Sequence, residues 1–181
     1  MIRKIIISCI AATSLILFST QAFALINLSV GVPLSHTFTK EDADGNKIET
    51  DGVSGTFIQI GIPILPGIGM DNYETKVKDS STKIATTMYN LYYLLPIPVI
   101  NLTFGVGVGN TEVKCETCSA IYEKGGATQF YASFGFPIIP LFDLHLSYRS
   151  VSSKVKGKGA NEGNDVDLGG NVMGRGIGFN F

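Results

Sequence analysis

Histidine occurs twice and cysteine three times in the chain, so the residues able to do chemistry are few. His145 and Ser147 stand two apart, a spacing that on a strand puts both side chains on one face. A histidine beside a serine, with a downstream acid, is the material of a base and its nucleophile. His36, the other histidine, reads as a solvated interfacial residue rather than a base or metal ligand. Cys115-Glu116-Thr117-Cys118 is a lone C-x-x-C. No second cysteine or histidine cluster completes a zinc set, and in an exported chain a local disulfide between Cys115 and Cys118, stiffening a loop, is the preferred reading. Gly105-x-Gly107-x-Gly109 has apolar residues between its glycines, so it belongs inside a strand, where it gives neighbouring side chains room, and not in a phosphate-binding loop.

The elements that must position these residues are strands. Ile26, Leu28, Val30, Val32 and Leu34 alternate with small or polar residues, and Ile58, Ile60, Ile62 and Ile64 do the same in a second segment. A third, from about Gly67 to Lys78, is weak. It places Tyr73, Thr75 and Val77 on the outer side and Asn72, Glu74 and Lys76 on the inner, with Asp71 spoiling the apolar face. The fourth carries Ala85, Thr87, Tyr89, Leu91, Tyr93 and Leu95, and the fifth Ile100, Leu102, Phe104, Val106 and Val108. Phe130, Ala132, Phe134, Phe136 and Ile138 mark the sixth, and Phe142, Leu144, Leu146 and Tyr148 the seventh. The eighth runs from about Val166 to Phe181, with Ile177, Phe179 and Phe181 in phase.

The links alternate in kind. Leu65-Pro66-Gly67, Pro96-Ile97-Pro98 and Pro137-Ile138-Ile139-Pro140 are short turns, whereas about Lys40 to Gly52, Lys78 to Lys83, Lys114 to Gly126 and Lys154 to Asp165 are long and polar. Arg3 and Lys4, the apolar run Ile5 to Phe18 and the small-x-small site Ala22-Phe23-Ala24 form an export signal, cleaved after Ala24. Residues 1–24 are thus the signal peptide and 25–181 one domain. Lys+Arg 14 against Asp+Glu 15 leaves no field to attract nucleic acid. Alternation alone also suits a soluble sandwich or lipocalin-like barrel. The export signal, the alternating link lengths and a second face rich in Gly, Ser, Thr and Asn favour a membrane barrel, the strand-built structure that satisfies every backbone group in lipid. The expectation is an all-β, eight-stranded antiparallel up-and-down transmembrane barrel in the outer membrane.

Gly176-x-x-Phe179-x-Phe181 resembles the C-terminal signal by which the barrel assembly machinery recognises outer-membrane proteins. With the eight segments, it makes the chain similar to the small eight-stranded outer-membrane proteins, the group containing OmpX and the OmpA transmembrane domain. The Pro-x-x-Pro turns resemble those of a subgroup of small Gram-negative barrels. His145-x-Ser147 is similar to the site of outer-membrane lipid A deacylases. It lies close to Pro140 at the periplasmic end, however, whereas that family works on lipid at the outer leaflet, so no catalysis is expected. The resemblance implies outer-membrane lipid and lipopolysaccharide as surroundings and no cofactor. Adhesion or another surface role through the charged loops is the reading, with a pore for small or apolar solutes as the rival.

Two further expectations concern charge. An eight-stranded barrel has an interior just wide enough for side chains to fill it, so buried charges must pair across the lumen. The expected cluster is Glu74, Lys76, Asp143, His145 and Arg149, with Glu74 on Arg149 and Lys76 on Asp143 or Glu74, and with Asn90, Tyr92 and Tyr131 nearby. Arg175 shares the parity of Phe179 and would face lipid, so a glycine bulge within Gly174 to Gly178 is expected to turn it inward, or the side chain to snorkel.

Overall fold

A computed structural model describes residues 26–39, 48–62, 65–97, 100–139, 141–159, 162–163 and 165–180. The export signal, its cleavage site and Phe181 lie outside these residues. The strands are β1 (Asn27–Phe38), β2 (Thr50–Gly61), β3 (Gly67–Val77), β4 (Lys83–Ile97), β5 (Ile100–Lys114), β6 (Gly125–Ile139), β7 (Phe142–Val155), β8 (Val166–Asp167) and β9 (Gly170–Asn180). From β1 to β7 each strand pairs antiparallel with the next, and β9 pairs with both β7 and β1. The sheet therefore closes into an up-and-down barrel of eight wall strands, with no free edge left to template aggregation. The two-residue β8 adds to the loop end of β7 at Lys154 and Val155.

Period-two alternation sorts the side chains. Ile58, Ile60, Leu91, Phe104, Val106, Phe134, Leu144 and Leu146 stand outside, each about half exposed, and Phe130 is exposed to 70%. Soluble monomers rarely expose so continuous an apolar surface, and lipid is its natural solvent. The inner face is polar and aromatic, with Gln59, Asn90, Thr103, Gln129, Ser133, Ser147 and Arg149 buried beside Phe57, Tyr73, Tyr92 and Tyr131. The glycine run of β5 serves this packing: a Cβ at Gly105 would overlap the Tyr131 ring, and one at Gly107 would overlap the Asn90 amide.

Three departures from the sequence expectation matter. β3 is inverted. Asp71, Tyr73 and Thr75 are buried in the lumen, while Asn72 and Lys76 are exposed outside and Glu74 is half-exposed there. The cause is that Ile68 and Met70, both exposed, hold the lipid face of the lower strand. The same parity then carries Asn72, Glu74 and Lys76 outward near the loop end, where charges reach water. Second, β1 bulges opposite β9 between Pro33 and Ser35. Proline has no N–H for the ladder, and the extra residue shifts the parity beyond it. Leu34 and Ser35 are both exposed, and His36 and Phe38 turn inward. Third, Val77 and Lys83 are joined by a tight five-residue turn with Asp79 at φ 55°, not by a long loop.

Candidate functional site

The lumen is filled in three layers, each built by facing strands. The middle layer is ionic. Arg149 of β7, 2% exposed, directs its Nε to Asp71 Oδ2 of β3 at 2.9 Å and its Nη2 to Asp71 Oδ1 at 3.5 Å. A further guanidinium N–H is donated to Ser147 Oγ. Gln129 Nε2 donates to Asp71 Oδ2 and to Asn90 Oδ1, both at 2.6 Å. The guanidinium carbon lies over Phe57, 3.6 Å from the ring centroid, and 5.1 Å from that of Tyr131. Burial of this pair is tolerable because each group is both neutralised and hydrogen-bonded. The partner of Arg149 is therefore Asp71 and not Glu74. Glu74 instead accepts from Lys114 and lies 3.9 Å from Lys83, outside the barrel. Lys76 is also outside. Neither belongs to the lumen cluster, because both follow the outer parity of β3.

The layer toward the short turns holds the other predicted members. Asp143 accepts from Asn101 Nδ2 at 2.8 Å and Asn180 Nδ2 at 3.0 Å, and its Oδ1 lies 3.3 Å from His145 Nδ1. On its far side, His145 Nε2 is 3.1 Å from Ser29 Oγ of β1. His145 thus reaches across to Ser29 and leaves the adjacent Ser147 to Arg149. The order Ser29, His145, Asp143 is that of a nucleophile, a base and the acid that orients it. No sequence signal could pair residues 116 positions apart. The space beside the relay is about 20 Å³, enclosed by Gln59, Thr103 and Ser133 among others, which is room for about one water.

The third layer, toward the loops, is apolar. Phe38, Ile84, Val155 and Leu168 are buried together, with Ile48, Val77, Val113, Tyr122 and Val166 packed around them. Below them His36, buried rather than solvated, places Nδ1 2.8 Å from Thr75 Oγ1 and packs its ring 4.4 Å from that of Phe38. Above them a cavity of about 700 Å³ opens, lined by Ile48, Val77, Val113, Tyr122 and Val166 with Glu49, Lys78 and Asp79 at its rim. The Lys78 ammonium hydrogen-bonds Glu49 and holds its carboxyl below the usual range. Cys115 and Cys118 are joined by a disulfide that anchors the one-turn helix Cys118–Ile121 beside this cup. Glu123 N donates to Lys156 O at 2.8 Å and Lys158 N to Ile121 O at 2.7 Å, tying the third loop to the fourth.

This closed antiparallel wall of eight strands recurs among solved structures. Neisserial surface protein A aligns with a TM-score of 0.61 at 10% identity, covering 86% of this chain and 97% of that one. Escherichia coli outer membrane protein W aligns at 0.56 and 11%, covering 87% and 98%. The fold is that of the small eight-stranded outer-membrane barrels. No protein-family model matches the sequence, and neither does any curated protein. At such identities the likeness carries the fold alone. The C-terminal motif residues Gly176 and Phe179 lie in β9, where Phe179 faces outward and meets Phe142 edge-on at 5.0 Å.

Arg175 does not take the first of the two routes expected for it. The β9 ladder with β7 runs without a break from Gly170 to Phe179, so no bulge turns the residue inward. It faces outward between Val32 of β1 and Leu146 of β7. The interruption falls on β1 instead, at Pro33.

Proposed function

We propose that this chain resides in the outer membrane as a non-conducting, non-enzymatic barrel, and that it acts at the cell surface by holding an apolar group in the cup at its loop end. The long links then face outward and the proline-marked turns face the periplasm, as in transmembrane barrels generally. The observation that carries the reading is the contrast along the axis: a cup of about 700 Å³ with apolar walls, above a lumen filled by the Arg149–Asp71 network. An interior closed by paired charges at mid-height offers no continuous water path. A cup with an apolar floor and a charged rim suits an acyl chain or an exposed hydrophobic side chain of a partner, and fold likeness by itself would not choose either. Planar bilayers should show no stable single-channel conductance, and an apolar fluorophore should bind the folded protein and be lost in Ile48→Asp and Val166→Asp. Stable conductance, or unchanged binding in both variants, would overturn the reading.

A second reading, ester hydrolysis at Ser29, is favoured by the Ser29–His145–Asp143 relay. The space of about 20 Å³ beside it admits no ester, which ranks it lower. Covalent labelling of Ser29 by a fluorophosphonate, abolished in Ser29→Ala, would promote it.

A further inference from the structure

Arg175 is exposed on the outer wall of the barrel, and its cross-strand neighbours Val32 and Leu146 are apolar. The next outward row toward the loops is Met173 and Tyr148, and the one beyond it is polar, with Asn171 and Ser150. A row of a tilted strand rises roughly 5 Å. Arg175 thus stands two rows below that polar row and two rows above the Phe142–Phe179 pair at the turn end, and its side chain is long enough to carry its guanidinium toward the loop-side boundary of the apolar belt. In the opposite direction a groove of about 660 Å³ descends the wall from Arg175, between Val32, Leu146, Leu144, Ile177 and Ile138. Among the described residues Arg175 has no ion pair, and the lining of the groove includes no acidic side chain. A cation at the head of an apolar furrow is matched by an anion attached to an apolar chain.

We infer that this furrow is a site for one lipopolysaccharide molecule, with Arg175 on a lipid A phosphate and an acyl chain lying along the groove below. The inference rests on the outer-membrane orientation proposed above, which puts Arg175 toward the outer leaflet. The order of the parts, cation uppermost and furrow beneath, matches an outer-leaflet amphiphile and would be upside down for an inner-leaflet one. A second copy of the chain is disfavoured because a two-fold contact through this groove would bring two Arg175 guanidinium groups together. A guanidinium also suits phosphate better than an ammonium would, through paired N–H donors.

The test uses the full mature chain refolded into phosphatidylcholine vesicles, with insertion checked by gel mobility before and after heating. With bis-phosphorylated or dephosphorylated lipid A added to the vesicles, native mass spectrometry after extraction should then show one bound bis-phosphorylated lipid A for wild type, about tenfold weaker retention for Arg175→Gln, and loss of discrimination between the two forms in that variant. Arg175→Leu should insert at least as well as wild type and bind no phosphorylated lipid A preferentially. Equal retention by wild type and Arg175→Leu would overturn the site, as would equal retention of phosphatidylglycerol in place of lipid A. A lipid-free dimer cross-linked through Arg175→Cys would give the groove to a second copy. A chain that fails to insert at all would instead remove the membrane reading on which the inference stands.

Discussion

Arg149→Ala is the substitution that most directly tests how the barrel is closed. Arg149 and Asp71 are 2% and 0% exposed by side chain, so removing the guanidinium leaves a carboxylate sealed in the lumen with Gln129 Nε2 as its remaining described donor. Stripping one partner from a buried pair costs about 3–5 kcal/mol, most of it the uncompensated charge. Loss of the stacking on Phe57 adds to the same total. The cause of the cost predicts its cure. Asp71→Leu with Arg149→Met removes both charges and fills similar space, and should return to within about 1–2 kcal/mol of wild type or exceed it. Glu74→Gln breaks a half-exposed pair with Lys114 outside the wall and should cost less than about 1 kcal/mol. The chain has no tryptophan, so urea titrations in lipid vesicles are best followed by gel mobility and circular dichroism. If Arg149→Ala costs under about 1 kcal/mol, or if Glu74→Gln costs as much as Arg149→Ala, the pairing and the parity of β3 are both wrong.

Other outcomes follow from the same packing. Val106→Lys, in the middle of the outer apolar face, should cost about 2–4 kcal/mol in vesicle folding titrations. Leu102→Lys should cost less, because Leu102 pairs with Leu95 close to the turn end of β5. Gly105→Ala should destabilise by about 1–3 kcal/mol through its overlap with Tyr131, measured in the same titration, and Tyr131→Phe should not relieve it. Reducing the Cys115–Cys118 bond should leave the barrel transition where it was, since it closes so short a loop, while weakening fluorophore binding at the cup. The Glu49–Lys78 pair at the rim should hold above the ordinary carboxylate range and be lost as the pH falls through the lowered pKa of Glu49. NMR titration of Glu49 in wild type and Lys78→Met reads this directly.

Most of the wall was legible because lipid demands it. On β5, Phe104, Val106 and Val108 alternate with Thr103, Gly105 and Gly107, and the side facing lipid could be named from composition alone. β3 was not legible from its middle. Near the loop end the outer face meets water, so a glutamate and a lysine are as much at home there as in a paired lumen. Only the two residues nearest the turn, Ile68 and Met70, carried the lipid signal, and extending their parity upward would have buried Asp71 and Tyr73 correctly. The β1 bulge was marked by Pro33, a residue that cannot donate to a ladder. The proline could have warned that the parity beyond it changes and that His36 points inward.

The polar sites were harder to read, for a geometric reason. A closed sheet brings together residues with no sequence relation: Ser29 with His145, Asp71 with Arg149, Gln59 Nε2 with the Tyr131 hydroxyl at 2.8 Å. Which inward residue meets which depends on strand tilt and register, and a two-residue error moves a side chain by a whole layer. Composition constrained the answer more than position did. Among the inward residues of the middle layer, Arg149 required one carboxylate, and Asp71 was unexplained on the outside and needed on the inside. An apparent violation on a lipid face is thus informative twice over. At Asp71 it marked a wrong parity. At Arg175, where the parity is right and the strand unbulged, the same kind of violation persists in the fold, and the lipid site proposed there is the partner that would account for it.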